Sequence, residues 1–423
     1  MGHPRTDLVL LFSSRALRLF GFGFLSVNLV LFLTGLGLAG VTVGLMLSLA
    51  LLGDVGLSLL ITTSADRIGR RRMLLVSALL IVFAGVVLAS TDSLWLIGAA
   101  ALVGVLSPSG NEVGPFLSIE QAALSQIVPD SQRTRLFTRY NLVGSLAAAL
   151  GALASGLFIS GLLASGMVRE QAYRSTVIVY GVVGVLLALI FLRLSTAVEA
   201  PAAPPAGRRR LGLHRSRPAV LRLSGLFALD AFAGAFLIQS LLAYWLTLRF
   251  SVPPAALGGI FFAANLLAGF SGLIAGRLAQ RFGLINTMVF THLPSNVLLM
   301  LVPLMPTLPA AVGMLLLRFS ISQMDVPTRQ SYTMAVVSPD ERSAAAGVTT
   351  TARSVGGLLS PTISAQLMAL PGLMAVPFFV AGGLKIIYDV LLYRAFRRVK
   401  PPEEEGIGSP RLEPGSGPAQ RPG

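Results

Sequence analysis

Apolar runs long enough to cross a bilayer recur along the whole of this chain. A helix spanning the hydrocarbon core of about 30 Å needs about 20 mostly apolar residues. That criterion marks twelve segments: 8–34, 41–65, 73–90, 94–127, 135–162, 174–193, 221–248, 255–279, 284–306, 308–337, 343–369 and 375–394. Only 12% of the 423 residues are charged, about half the usual share in a soluble protein. In lipid every backbone polar group must be satisfied internally, which leaves helices or closed barrels. The length of the segments selects helices. The expected fold is therefore an all-α integral membrane protein with twelve transmembrane helices.

Charge placement sets the orientation. The net charge of +15 would suit a nucleic-acid partner if it formed one surface, but the arginines cluster in alternate loops. Arg67, Arg70, Arg71, Arg72, Arg133, Arg135, Arg208, Arg209, Arg210, Arg215, Arg217, Arg281 and Arg342 fall on one side, with Arg397, Arg398 and Lys400 at the end. The opposite loops hold Arg169, Arg174 and Arg249. Loops rich in Lys and Arg stay cytoplasmic, so both termini are expected in the cytoplasm, in a multi-pass protein of the inner (plasma) membrane. The first apolar segment is too long for a signal peptide and lacks a small-residue cleavage site; it reads as a retained helix. There is no cysteine, hence no disulfide or thiol nucleophile. His3, His214 and His292 are too scattered to suggest a metal site. No nucleophile–base–acid set is visible, so an enzyme is not expected, nor a cofactor.

The chain repeats internally. Arg18–Leu25 lines up with Asp230–Leu237, and Pro129-Asp130 with Pro339-Asp340. Residues 1–194 and 221–398 then read as two six-helix halves. Residues 195–220, with Ala200–Pro205 and Arg208-Arg209-Arg210, read as a cytoplasmic linker; contact with lipid is an alternative to simple solvation. Residues 399–423 are rich in Pro, Gly and Glu and read as a disordered tail.

One stretch between segments 2 and 3 carries a resemblance. Asp66-Arg67-Ile68-Gly69-Arg70-Arg71-Arg72 resembles the loop 2–3 signature of the major facilitator superfamily, with Thr62 standing where that pattern has a glycine. A second copy runs from Gly276 through Arg281 to Gly283, with Gln280 replacing the aspartate. The resemblance implies two halves rocking around a site near the bilayer midplane, with helices 1, 4, 7 and 10 lining the cavity and these loops latching a cytoplasmic gate. It also implies a monomer.

Charged residues inside a membrane are functional candidates by default, and here many fall on those four segments. Ser107–Pro115 places two prolines and two glycines in nine residues. Segment 4 is therefore expected to bend, unwind or project there. Glu112 in that stretch is the first choice for a proton carrier, Asp325 the second, with Glu120 a further candidate; the bland alternative is a carboxylate holding freed amides. Arg18, Asn111, Asp230, Gln239, Arg318, Gln323 and Arg329 are expected at the substrate cavity. Asp325 and Arg329 are four apart and can pair on one helix face. Arg18 and Asp230 occupy equivalent repeat positions and are expected to form a gate, while Arg15 is expected to snorkel. Asp54 and Arg353 are expected as an interhelix pair, and Lys385 with Asp389 as a structural one.

With these residues, the resemblance implies a secondary transporter of a small organic molecule, most simply a proton-coupled exporter. Proton-coupled uptake is an alternative, as is a membrane receptor or scaffold that does not transport. The small-residue stretch Gly144–Gly151 only loosely resembles the motif of drug–proton antiporters, because it lacks proline. Gly356–Pro361 is closer to that pattern but lies in the other half.

Overall fold

The computed structural model describes residues 4–112, 114–128, 130–199, 215–338 and 341–397, with only the backbone of 130–135 and 343. Most of the expected linker and the whole expected tail lie outside these residues. Each apolar segment forms a helix or a broken pair of helices. Segments 1–3 are α1 (Pro4–Gly35), α2 (Gly40–Ile68) and α3 (Arg70–Ser90). Segment 4 is split into α4 (Leu94–Val103) and α5 (Phe116–Ile127). Segments 5 and 6 are α6 (Asp130–Ala164) and α7 (Arg169–Leu192). The second half follows as α8 (Arg217–Ala235) and α9 (Gln239–Phe250), α10 (Pro254–Phe282), α11 (Leu284–Leu301), α12 (Leu308–Phe319) and α13 (Asp325–Ala335), α14 (Arg342–Gly356) and α15 (Ser360–Ala369), and α16 (Val376–Phe396). Among the described residues, nine helical stretches are long and apolar enough to cross a membrane. Segments 4, 10 and 11 fall outside that number because each is broken.

The break in segment 4 is the expected one. Residues 104–112, 114 and 115 leave the helix through Pro108, Gly110 at φ 71° and Gly114 at φ 78°, a conformation that favours glycine at the latter two. The breaks in segments 7 and 11 were not anticipated. In segment 11, Gly356-Gly357 and Pro361 supply the local reason. Segment 7 has only Gly234 near its break, and a tertiary contact completes it: Ser240 donates its backbone N–H (3.1 Å) and its hydroxyl (2.6 Å) to the carbonyl of Pro108. Each break thus supplies hydrogen-bonding groups to the other, as backbone freed at membrane depth requires. Pro327 sits in the first turn of α13, where its missing N–H removes no helical bond.

The basic stretch is barely a loop. Asp66–Ile68 end α2 and Arg70–Arg72 begin α3, leaving Gly69 alone between them at φ 115°; Gly283 does the same at φ 85° between α10 and α11. Three arginines at a helix N-terminus oppose its dipole. The Glu199 carboxylate offsets this by accepting the N–H groups of Arg70 (2.6 Å) and Arg71 (3.3 Å). Arg70 also reaches back to Asp66 (2.8 Å) and across to Gln126 (2.5 Å). Thr62, in place of the glycine, pairs its hydroxyl with Ser118 at 3.0 Å. In the second copy Gly276 and Arg281 are exposed, with Arg281 over the Phe282 ring. Segment 7 starts at Arg217, inside the expected linker, because Glu341 holds the N–H groups of Arg215 and Ser216, each at 2.8 Å.

The two halves meet most closely toward the end of the bundle where α1 stops and α2 starts. Gly40 and Gly44 lie against α15, and Ser48 bonds Thr362 at 2.8 Å. On the opposite flank α6 crosses α10. A Cβ at Gly156 would lie 2.3 Å from the Pro254 carbonyl oxygen, and one at Gly258 2.8 Å from that of Ala152. Backbones this close leave no space for a side chain. Gly156→Val is therefore expected to pry this end open. Because the chain has no cysteine, a single Ser48→Cys reports on it. Its labelling by a water-soluble maleimide should rise several-fold in the Gly156→Val background, and unchanged labelling would show that this crossing does not hold the closure.

Candidate functional site between the two halves

Each half encloses a network of ionised groups. In the first half, Arg18 is fully buried and forks between two carboxylates: Nε donates to Glu112 (2.9 Å), and Nη1 and Nη2 donate to Glu120 at 2.8 and 2.7 Å. Its guanidinium lies 4.6 Å from the centre of the Phe116 ring. Arg15 completes the set with an ion pair to Glu112 and stacks over Tyr140. Glu120, also fully buried, accepts further bonds from Ser14 (2.6 Å) and Tyr140. Two arginines thus face two glutamates. The unwound stretch 104–115 positions Glu112, whose side chain remains 14% exposed.

In the second half Asp230 is the hub. It accepts from Lys385 Nζ (2.6 Å), Arg353 Nη1 (2.8 Å) and Arg329 Nη1 (3.3 Å). Arg329 also pairs with Asp325 at 2.6 Å, the expected i,i+4 contact. Behind the hub, Asp389 accepts from Asn296 (2.9 Å) and bonds His292 Nδ1 (2.8 Å).

Several expected pairings are not formed. Arg18 and Asp230 do not meet, because each is taken by partners within its own half. Arg15 does not snorkel but pairs with Glu112. Lys385 reaches the hub rather than Asp389, so α16 contributes to the network. Asp54 and Arg353 also do not pair: Arg353 turns to Asp230, while Asp54 Oδ1 accepts the Gly114 N–H and the Ser58 hydroxyl (3.2 Å). No cation pairs with Asp54 among the described residues. Gln239 bonds Ser26 at 2.8 Å, across the halves. Asn111 is exposed on the unwound stretch, Gln323 is half-buried in the break of segment 10, and Arg318 stands over the Phe319 ring with its Nε unpartnered. Sequence reasoning missed Tyr140, Ser14 and Asn296. They are polar residues in apolar helices, which is a signal, but nothing local ties them to a partner more than a hundred or so positions away or on another segment.

A cavity of about 250 Å³ lies between α2 of the first half and α8, α14 and α16 of the second. Asp54 lines one wall; Asp230, Arg353 and Lys385 line the other, with Leu51 and Ile238 among the apolar contacts. Chemically, the cavity presents a carboxylate from one half and cations with a carboxylate from the other.

Comparison with known proteins bears on what this architecture is. An uncharacterised membrane protein of Saccharomyces cerevisiae is 27% identical over 417 residues, covering 91% of this chain and 93% of that protein. A crystallised mutant of the nucleoside transporter NupG has a TM-score of 0.73 at 13% identity, over 92% of this chain and 100% of its own. The D-xylose-proton symporter has a TM-score of 0.70 at 13% identity, over 92% and 97%. At these identities the two structures bear on the fold alone. A family model, that of the Major Facilitator Superfamily, matches residues 11–361. With its twelve helical segments in two halves and charged groups gathered about the cleft between them, the chain belongs to the Major Facilitator Superfamily, a superfamily of membrane transporters of solutes.

Proposed function

We propose that this protein is a proton-coupled exporter of a small organic solute, working by alternating access in the inner membrane. Charge placement puts the basic ends of the bundle in the cytoplasm. The closed end then faces outward and the cavity belongs to an inward-facing state. Rocking the halves about α2·α15 and α6·α10 would open the other end. Residues 1–194 and 221–398 are the two moving bodies of this scheme, and the basic ends around Asp66–Arg72 and Gly276–Gly283 would meet in the alternate state. The protein acts as a monomer, embedded in lipid.

One observation carries the coupling step: among the described residues Asp54 is a cavity carboxylate without a cation. Glu112, Glu120 and Asp325 each hold an arginine, and protonating any of them would take one counter-charge from a buried arginine, a costly change. Protonating Asp54 strands no such cation. We therefore assign the proton to Asp54, with Glu112 fixing the unwound stretch. Asp54 touches that stretch through Gly114, so a change of charge there reaches segment 4 directly. Export follows from competition: a proton entering from outside displaces a solute held at the same carboxylate.

The test is flux in proteoliposomes with an imposed pH gradient. Wild type should accumulate or expel solute against its gradient when the proton gradient runs the opposite way. Asp54→Asn should abolish gradient-driven flux while keeping solute exchange at equal pH and saturating solute. Proton movement in the same direction as solute would establish uptake symport instead. Gradient-driven flux that survives in Asp54→Asn but fails in Glu112→Gln would return the proton to Glu112.

A further inference from the structure

The two walls of the cavity differ in what they leave unused. On the α2 wall, Asp54 spends Oδ1 on Gly114 and Ser58, and Oδ2 makes no hydrogen bond among the described residues. On the facing wall, Arg353 donates from Nη1 to Asp230 and makes no other side-chain hydrogen bond described. Its side chain is 32% exposed, against 4% for Asp230 and 10% for Lys385. Asp230 already serves Lys385 and Arg329, so Arg353 is the most exposed of the cations in described contact with it and keeps donors free on the cavity side. A carboxylate oxygen and a guanidinium edge thus border one cavity from opposite halves without pairing.

From this we infer that the transported solute is a small zwitterion of the α-amino-acid type, whose ammonium group takes Asp54 and whose carboxylate takes Arg353. The inference rests on the transport reading and names its substrate class. Bringing one charge of either sign into a confined site is costly unless it meets a counter-charge. An anion would satisfy Arg353 but add a second negative charge near Asp54. A cation would satisfy Asp54 and leave the donors of Arg353 unused. A neutral polyol would leave Asp54 without a counter-charge and the remaining donors of Arg353 without an anion. A zwitterion meets both at once, and it ties α2 of one half to α14 of the other, so its binding acts across the joint that must move. Guanidinium suits a carboxylate because its planar edge can donate two parallel bonds. Size agrees: about 250 Å³ is space for roughly eight waters and lies below the ~300–1,000 Å³ of drug-sized sites. The apolar residues Leu51, Val55 and Ile238 would meet the side chain of the solute.

The experiment is a binding titration of the purified full-length protein in detergent with each of the twenty standard L-α-amino acids. Each one that binds is repeated as its N-acetyl and its methyl-ester derivative, with xylitol and adenosine as neutral probes. Wild type should bind at least one amino acid and lose tenfold or more in affinity for either derivative. Asp54→Asn should lose tenfold for the free amino acid while binding the N-acetyl form as wild type does. Arg353→Gln should show the mirror pattern with the ester, and Arg353→Lys should recover part of the loss. Should a variant fail to fold, the derivative series on wild type still decides. Absence of binding by all twenty, or equal binding of parent and derivative, overturns the inference. The two readings separate in the same proteoliposomes. Proton-driven flux of a neutral or singly charged solute would keep the transporter and sink the zwitterion. Zwitterion binding that never becomes flux would do the reverse.

Discussion

Asp230→Ala should be the most damaging single substitution in the second half. Asp230 holds Lys385, Arg353 and Arg329 at 2.6, 2.8 and 3.3 Å and is itself nearly inaccessible. Removing it leaves three cations facing one another, with Asp325 as the remaining carboxylate in contact. Breaking a buried ion pair costs roughly 3–5 kcal/mol. The expected result is a loss of that size in the unfolding free energy in detergent, read as a large fall in melting temperature or as loss of the monodisperse peak on size exclusion. The cause is charge rather than packing, so Asp230→Asn should be nearly as harmful. Adding Lys385→Met to Asp230→Asn should recover part of the loss. Equal stability of wild type and Asp230→Asn would mean that the hub is hydrated and contributes little.

Arg18→Ala should have a comparable effect in the first half. Arg18 is fully buried and neutralises the fully buried Glu120 while holding Glu112. Without it the partners of Glu120 among the described residues are the hydroxyls of Ser14 and Tyr140, and the loss should again be roughly 3–5 kcal/mol. Arg18→Lys separates charge from geometry. A lysine ammonium is a compact point charge and cannot reproduce the fork across two carboxylates. It should restore less than half of the loss, and the backbone around Glu112 should become more accessible to hydrogen exchange. Full rescue by lysine would reduce the role of Arg18 to its charge. Neither variant tests transport, which is why Asp54→Asn, at a carboxylate that neutralises no cation, is the cleaner probe of coupling.

The twelve segments were legible in the sequence because lipid leaves a helix few alternatives: apolar runs of the right length and basic residues gathered in alternate loops follow from solvation alone. The break in segment 4 was legible too, since two prolines and two glycines in nine residues are a local cause. The same holds for Asp325 with Arg329, where helical spacing brings the groups together without help from elsewhere. What only the tertiary structure decided was partnership between segments. Arg18 finds Glu112 and Glu120 rather than Asp230, Lys385 finds Asp230 rather than the Asp389 one turn away, and Asp54 is left without the arginine expected for it. Segment 7 breaks where the Pro108 carbonyl meets Ser240, a reason held on another helix. Composition and periodicity report what each residue does with its own helix and with solvent. Which buried charges neutralise one another depends on how the helices are stacked, and that choice is what leaves Asp54 and Arg353 open to the cavity.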